Sequence, residues 1–345
     1  MFPSDYLIQK YQQNVPRYTS YPPANYFCEQ TIATYKQAIV ESNATAPNHI
    51  SIYIHIPFCS QLCWYCGCNS TSFTNRTAIT EYLQNLHTEI CNTIQLLDTQ
   101  RKISQIHFGG GTPSLLTKKE LHDILSLFSS HFTFTNTVEI AIECNPANLT
   151  FAYIDELVSI GFNRISLGVQ DFDTNVLTTV HREIPNIPIP EMALYIQSKN
   201  IALNFDFIYG LPLQTSESFA KTIEKAIMCN PDRVVTFSYA HIPSLKPLQK
   251  KIDKYAMVTG KEKLKILYNT HNQIVEAGYI SIGFDHFAKP QDELARALHE
   301  KKLHRNFQGY CTRESTGQVY AFGSSGITQL SHSFFQNNKN YIEYN

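Results

Sequence analysis

The chain has 345 residues, with 28 Lys+Arg against 29 Asp+Glu and a formal net charge of −1. That balance argues against a partner held mainly by electrostatics, either nucleic acid or an anionic membrane surface. Apolar residues at 43% and charged residues at 17% argue against a disordered chain.

The first 48 residues, rich in Tyr, Pro and Asn (VPRYTSYPPANYF), show no clear period and read as an irregular lead or cover. They lack the basic-then-apolar plan of a secretory leader, and no apolar run reaches 18 residues, so membrane insertion is not expected and the cytoplasm is. From residue 49 onward, β-rich runs alternate with helical patterns. The runs HISIYIHI (49–56), KISQIHF (102–108), TVEIAIE (137–143), NRISLGV (163–169), IALNFDFIYG (201–210) and RVVTFSYA (233–240) predict strands. Helices are predicted at 77–98, 117–130, 150–160, 188–199 and 215–229, with Thr150 and Thr215 as N-caps and Gly161 and Gly278 at helix C-termini.

The strands look close to continuously apolar, as in a parallel sheet covered on both faces. Six βα units in series imply right-handed crossovers and an α/β fold, either doubly wound or a complete or partial barrel. A further helix (260–277) and an apolar run (278–288) follow. The last segment, 305–345, is polar and Asn-rich with a GSSG turn. The predicted organisation is a lead (1–48), a barrel (49–290) and a short C-terminal extension (291–345).

Nine cysteines are an odd count in a long chain and do not suggest a disulfide framework. Four of them, Cys59, Cys63, Cys66 and Cys68, fall within HIPFCSQLCWYCGCNS, directly after the first predicted strand. In a βα barrel that end carries the chemistry. A C-x3-C-x2-C loop suits an iron–sulfur cluster with one iron left open. A zinc site that includes Cys68, or thiols packed in a core, are the alternatives.

Other residues follow strands in the same way. GGGTPS (109–114) lacks the third glycine of a dinucleotide fingerprint and the lysine of a P-loop, so it is either a tight βα turn or a loop that a ligand approaches closely. Glu143 ends the third strand and reads as a ligand-binding carboxylate, a helix cap or a salt-bridge partner. Gln170 and Asp171 follow the fourth strand. Arg182 taken alone reads as a solvated surface group. Asp206, in a buried strand, needs partners, either a ligand or a core network.

The cysteine loop, with Tyr65 just before its last Cys, resembles the radical S-adenosylmethionine (SAM) superfamily. YIHIPFC, CGCNS, GGGTPS, GVQDF, DFIYGLP, YAHIP, GFDHFA, HRNFQGY and the early PRYTSYPP are similar to the oxygen-independent coproporphyrinogen III oxidases of haem biosynthesis. The matches run from about residue 16 to 327. The resemblance implies a partial (β/α)6 TIM-like barrel of the radical SAM type and a [4Fe-4S] cluster on Cys59, Cys63 and Cys66. It assigns Tyr53, Gly110, Glu143, Ala240 and Ile327 to a first SAM, and Gly111, Thr112, Gln170, Arg182 and Asp206 to a second. Trp64 and Tyr65 would pack against adenine. His55, Cys68, His286 and His304 fall in the motifs without a metal role. Arg17, Tyr18, His304 and Arg305 are placed to meet the anionic substrate.

The implied reaction converts two propionates of coproporphyrinogen III to vinyl groups, giving protoporphyrinogen IX. A 5′-deoxyadenosyl radical removes hydrogen from the propionate β-carbon, and carbon dioxide and one electron then leave. A low-potential electron donor and an electron acceptor of unassigned identity are the implied partners. Members of the resembled family usually carry a further C-terminal helical domain, whereas this sequence ends at NKNYIEYN. The alternative expectation is therefore a haem-binding chaperone or an inactive shortened paralogue that retains the cluster. The related chaperone typically has Phe where Cys68 stands, so CGCNS favours the oxidase.

Overall fold

The computed structural model describes residues 2–11, 23–72, 75–307, 309–312 and 318–345. Six strands run parallel in chain order: β1 (His49–Ile56), β2 (Lys102–Gly110), β3 (Phe134–Cys144), β4 (Arg164–Gln170), β5 (Ala202–Tyr209) and β6 (Arg233–Ser238). All six lie where the sequence predicts strands. The apolar run 278–288 forms a hairpin of β7 (Ile280–Gly283) and β8 (His286–Ala288), with β8 antiparallel to β6. At the other edge, β9 (Gln318–Phe322) joins β1 in parallel, and β10 (Ile327–Leu330) and β11 (Phe334–Gln336) follow antiparallel. The order across the sheet is β11-β10-β9-β1-β2-β3-β4-β5-β6-β8-β7.

The helices expected between the strands are present: α1 (Arg76–Ile94), α2 (Lys118–Ser129), α3 (Phe151–Ser159), α4 (Ile189–Ser198), α5 (Ser216–Met228) and α6 (Gly260–Glu276). Thr150 and Thr215 accept from the backbone N–H three residues on, as N-caps do. Gly161 (φ 101°) and Gly278 (φ 92°) turn the chain out of the preceding helices in the left-handed region. The lead is less irregular than its composition suggests. It holds a helix at Ile32–Ser42 that buries Ile39, and the Ser42 hydroxyl lies 2.6 Å from that of Tyr320 on β9. Arg17 and Tyr18 lie outside the described residues. Among the described residues no helix is long and apolar enough to cross a membrane.

The strands are not uniformly apolar; they alternate. On β1, Ile50, Ile52, Ile54 and Ile56 are essentially fully buried in the main core. Each such side chain contributes about 1.5–3 kcal/mol. Ser51 and Tyr53, on the opposite face, line a cavity instead. The same alternation puts Gln105 and His107 of β2, Glu139 and Glu143 of β3, Arg164, Ser166 and Gln170 of β4, Asn204 and Asp206 of β5 and Arg233 of β6 on the wall of this cavity of about 550 Å³. Val319 of β9 and His286 of β8 complete the wall. One cavity lined by every strand from β9 to β8 requires the sheet to curl round it as a partial barrel, although among the described residues no strand pairing joins its two edges.

The deep end of the cavity is lined by buried charges. Arg164 Nε donates to Glu139 Oε2 (2.6 Å) and Arg233 Nε to Asp292 Oδ2 (2.9 Å), while Arg164 Nη2 reaches Asp292 at 3.3 Å. Burial would raise the Glu139 pKa, but Arg164 and Arg233 hold it far below the usual carboxylate range.

Candidate functional site

The C-terminal ends of the parallel strands carry the site. The cysteine loop leaves β1 and returns when Phe58–Cys59 pairs in parallel with Thr71–Ser72. Its backbone is tied down from several elements. Trp64 N–H donates to Val180 O (2.9 Å), Gln249 Nε2 to Tyr65 O (3.1 Å) and Lys246 Nζ to Cys68 O (2.7 Å). His55 Nε2 lies 2.9 Å from Asn69 O. Beneath the loop is a small apolar core of Cys63, Tyr65, Val176, Val180, Leu211, Tyr239 and Ile252.

Cys59, Cys63, Cys66 and Cys68 all line the cavity as free thiols. Each of the first three has a polar neighbour on its sulfur. Thr112 Oγ1 donates to Cys59 Sγ at 3.4 Å and Arg182 Nη1 to Cys63 Sγ at 3.6 Å; Ser70 Oγ lies 3.6 Å from Cys66 Sγ. The Cys66 thiol is pulled down to about 6, first by a hydrogen bond with Cys68 and then, against burial, by Ser70 and Lys246. The Cys68 thiol is pushed well up, chiefly by its hydrogen bond with Cys66. Burial lifts Cys59 to about 11, partly offset by Thr112.

GGGTPS turns out to be a packing device. A Cβ on Gly110 would lie 2.7 Å from the His55 ring, and one on Gly111 would lie 2.7 Å from the Phe58 carbonyl oxygen. Three glycines therefore let β2 and its turn press against β1 and the root of the cysteine loop. Thr112 then points at Cys59.

Glu143, two-fifths exposed to the cavity, accepts from Gly110 N–H (3.2 Å) and is paired with His107 Nε2 at 3.0 Å. Burial disfavours the His107 cation, yet Glu143 outweighs it and the pKa rises. His107 also stacks on Tyr53, with ring centroids 5.9 Å apart. Asp206 Oδ2 accepts from Ser166 (2.7 Å) and Oδ1 from Asn204 (3.1 Å). Burial raises the Asp206 pKa to about 7, moderated by Ser166. Gln170 is held at φ 68°, in a region costly for a residue with a side chain, and its buried Oε1 has no hydrogen-bond partner among the described residues.

The fold thus brings together on one cavity wall Tyr53, Tyr65, Gly110, Gly111, Thr112, Glu143, Gln170, Arg182, Asp206 and Ala240, with Cys59, Cys63 and Cys66. Ile327 opens β10 and is not on that wall. Trp64 is not on it either. Its indole stacks on His181 (5.2 Å, 13° between planes) and packs against the small apolar core beneath the loop. Asp171 is buried by Gln214 and Thr222 as part of the core. His286 lines the cavity, paired with Asp285 at 2.7 Å; Arg305 is engaged by Asp285 and the Tyr310 ring. His107, Ser166 and Asn204 are cavity residues that the sequence reading passed over, although the two-residue alternation of their strands marks them.

The residues fit the groups that the resemblance implies. The three thiols are spread along the cavity's mouth, and among the described residues no three Cys, His, Asp or Glu side chains converge on a single metal-ion position. A cube that takes one thiolate per iron suits such spacing, and donors to the sulfurs are the usual means of tuning it. The open carboxylate of Glu143 and the unpartnered oxygen of Gln170 suit a cationic amine or sulfonium ligand.

Residues 53–226 match the family model of the radical SAM superfamily. The chain is 41% identical over 342 residues to the oxygen-independent coproporphyrinogen III oxidase of Escherichia coli (strain K12), covering 98% of this chain and 73% of that protein. It is 40% identical over 334 residues to the enzyme of the same name from Synechocystis sp., covering 96% and 72%. The solved coproporphyrinogen III oxidase of Escherichia coli, a radical SAM enzyme, superposes with a TM-score of 0.88 at 37% identity, over 98% of this chain and 76% of that one.

Proposed function

Because the chain belongs to the oxygen-independent coproporphyrinogen III oxidases of the radical SAM superfamily, we propose that its cavity oxidatively decarboxylates two propionates of coproporphyrinogen III to give protoporphyrinogen IX. The observation that carries this reading is the meeting of the cysteine loop, Glu143 and Asp206 on one cavity wall. Cys59, Cys63 and Cys66 would hold the [4Fe-4S] cluster. With cluster and SAM bound, the chemistry supplied is one-electron cleavage of a sulfonium and hydrogen abstraction by the resulting carbon radical.

The chain's own residues position and shield. Glu143 offers its carboxylate to the amine of SAM while His107 and Gly110 N–H fix its rotamer. Tyr53 braces His107 from the other side. Tyr65 offers a ring face to adenine. Arg182, buried beside Cys63, keeps its charge although burial opposes it, because Tyr65 and Cys63 favour the cation; it is the cation placed to meet a ligand carboxylate. Gln170 Oε1 and Asp206 on the strands, with Gly111 and Thr112 beside Cys59, would take a second SAM. Ala240, whose carbonyl is held by Gln249, shapes the wall beside Tyr65. Below them, Arg164, Glu139 and Arg233 line the deep end, with Asp292 behind them balancing the charge.

A low-potential donor must supply one electron per SAM cleaved, and a separate acceptor must remove the electron left after decarboxylation. The test is anaerobic incubation of the reconstituted protein with coproporphyrinogen III, SAM and reductant, with products read by mass spectrometry. The expected result is a porphyrinogen lighter by two carbon dioxide units and four hydrogens, with release of 5′-deoxyadenosine. Intact substrate with no 5′-deoxyadenosine would overturn the reading.

A further inference from the structure

The segment 246–254, KPLQKKIDK, carries four lysines and one acid in a chain of net charge −1. The acid, Asp253, is taken by His241 at 2.8 Å. Lys246 is spent on the Cys68 carbonyl. Lys250, Lys251 and Lys254 are exposed, and among the described residues none has a carboxylate partner. Lys251 and Lys254 each place Nζ 5.4 Å from the centre of the Trp64 ring, on which His181 also stacks. Leu245 (74% exposed) immediately precedes this segment.

Trp64 is not a cavity residue; half-buried, it packs against the small apolar core beneath the loop and carries Lys251 and Lys254 close to its ring. It lies one residue from Cys63 and two from Cys66, on the outer side of the loop that holds both. An electron entering here reaches the thiolates without crossing the cavity in which substrate must sit. A partner presenting acidic groups round its redox centre would find both the charge and the apolar anchor that a transient docking face requires.

We infer that the outer face of the cysteine loop, formed by Trp64, Leu245, Lys250, Lys251 and Lys254, is the docking surface for an acidic, one-electron carrier protein that reduces the cluster. The carrier is oxidised by one electron, the cluster is reduced by one, and no bond is made or broken. This rests on the reading that Cys59, Cys63 and Cys66 hold a cluster.

The probe is a strongly acidic flavodoxin, titrated calorimetrically into the cluster-loaded protein and into its Lys251→Glu/Lys254→Glu variant. Both lysines are exposed, so the variant is expected to fold. The expected result is affinity at low ionic strength weakened about tenfold or more, and a shallower salt dependence, as charge reversal at a steering face produces. Reduction by dithionite, a small diffusing reductant, should proceed at the same rate in both proteins. Equal flavodoxin affinity in both would overturn the proposal. So would unchanged flavodoxin affinity with lost binding to phosphatidylserine vesicles, which would make the face a membrane contact. If flavodoxin binding depends on the lysines but dithionite reduces neither protein, the docking face stands and the cluster assignment falls.

Discussion

Asn69 and Lys339 are 270 positions apart, yet the Asn69 side-chain amide donates to the Lys339 carbonyl at 2.8 Å. This contact is one of three that put the tail directly behind the cysteine loop. Tyr341 meets Phe58 edge-on at 5.4 Å, and the Tyr344 hydroxyl donates to Glu89, which also accepts from Asn337 and from Gly323 N–H. Phe58 immediately precedes Cys59, so the tail buttresses the root of the loop. Tyr341→Ala should cost about 1–3 kcal/mol of stability, part of it the ring pair itself. In the metal-free protein it should also speed alkylation of Cys59. Unfolding midpoints and mass-spectrometric labelling rates would measure both.

Removing any one of Cys59, Cys63 or Cys66 by substitution to Ala should abolish iron binding after anaerobic reconstitution, against about four irons per chain in the parent. Cys68→Ala should retain iron, because Cys68 lies outside the C-x3-C-x2-C set that would hold the cluster. Iron and sulfide assays would decide, and iron loss in Cys68→Ala would reassign the ligands.

The glycine turn offers a graded test. Gly111→Ala drives a methyl group into the backbone of Pro57 and Phe58, both of which are rigid, so the turn or the loop must shift. A loss of about 2–4 kcal/mol and poor cluster retention are expected. Gly67→Ala, within the same cysteine loop, meets nothing within 4 Å and should leave both stability and iron content unchanged. Paired denaturation curves with iron assays would show the contrast.

Asp206 gives a pH signature. Its pKa is about 7 in the folded protein against 3.8 when unperturbed, chiefly because burial disfavours the carboxylate. Between these values the folded state binds more protons than the unfolded one, so Asp206 makes stability fall as pH rises through that window and level off above it. Asp206→Asn should flatten this descent in the metal-free protein. Urea unfolding of parent and variant at pH 5 and pH 8 would measure the difference; parallel pH profiles would exclude the effect.

The parallel strands and their helices were legible because each pairs an apolar period with a capping or breaking residue, as Thr150 and Gly161 do for α3. The inward polar face was legible too but was read as part of a continuous apolar run: in HISIYIHI every second residue is polar or aromatic, and in ALNFDFIY Asn204 and Asp206 alternate with Leu203, Phe205 and Phe207. The wall of the site was therefore found residue by residue through motifs, and His107, Ser166 and Asn204 were passed over. β9 to β11 were hidden for another reason. The run QVYAF is five residues long, and nothing within it states that its partner is β1, far earlier in the chain. Trp64 was misplaced because its neighbours Cys63 and Tyr65 do face the cavity, and a loop gives no period from which to tell inside from outside.

The pairing of β9 with β1 also sets an order of assembly. Ser51 and Ile54 cannot find Val319 and Phe322 until more than 260 residues of intervening chain have been synthesised. Such long-range closure is slow relative to local helix and hairpin formation. A nascent chain would thus carry the thiol-bearing loop half-braced until β9 emerges. Metal loading is accordingly best timed after β9 has paired with β1.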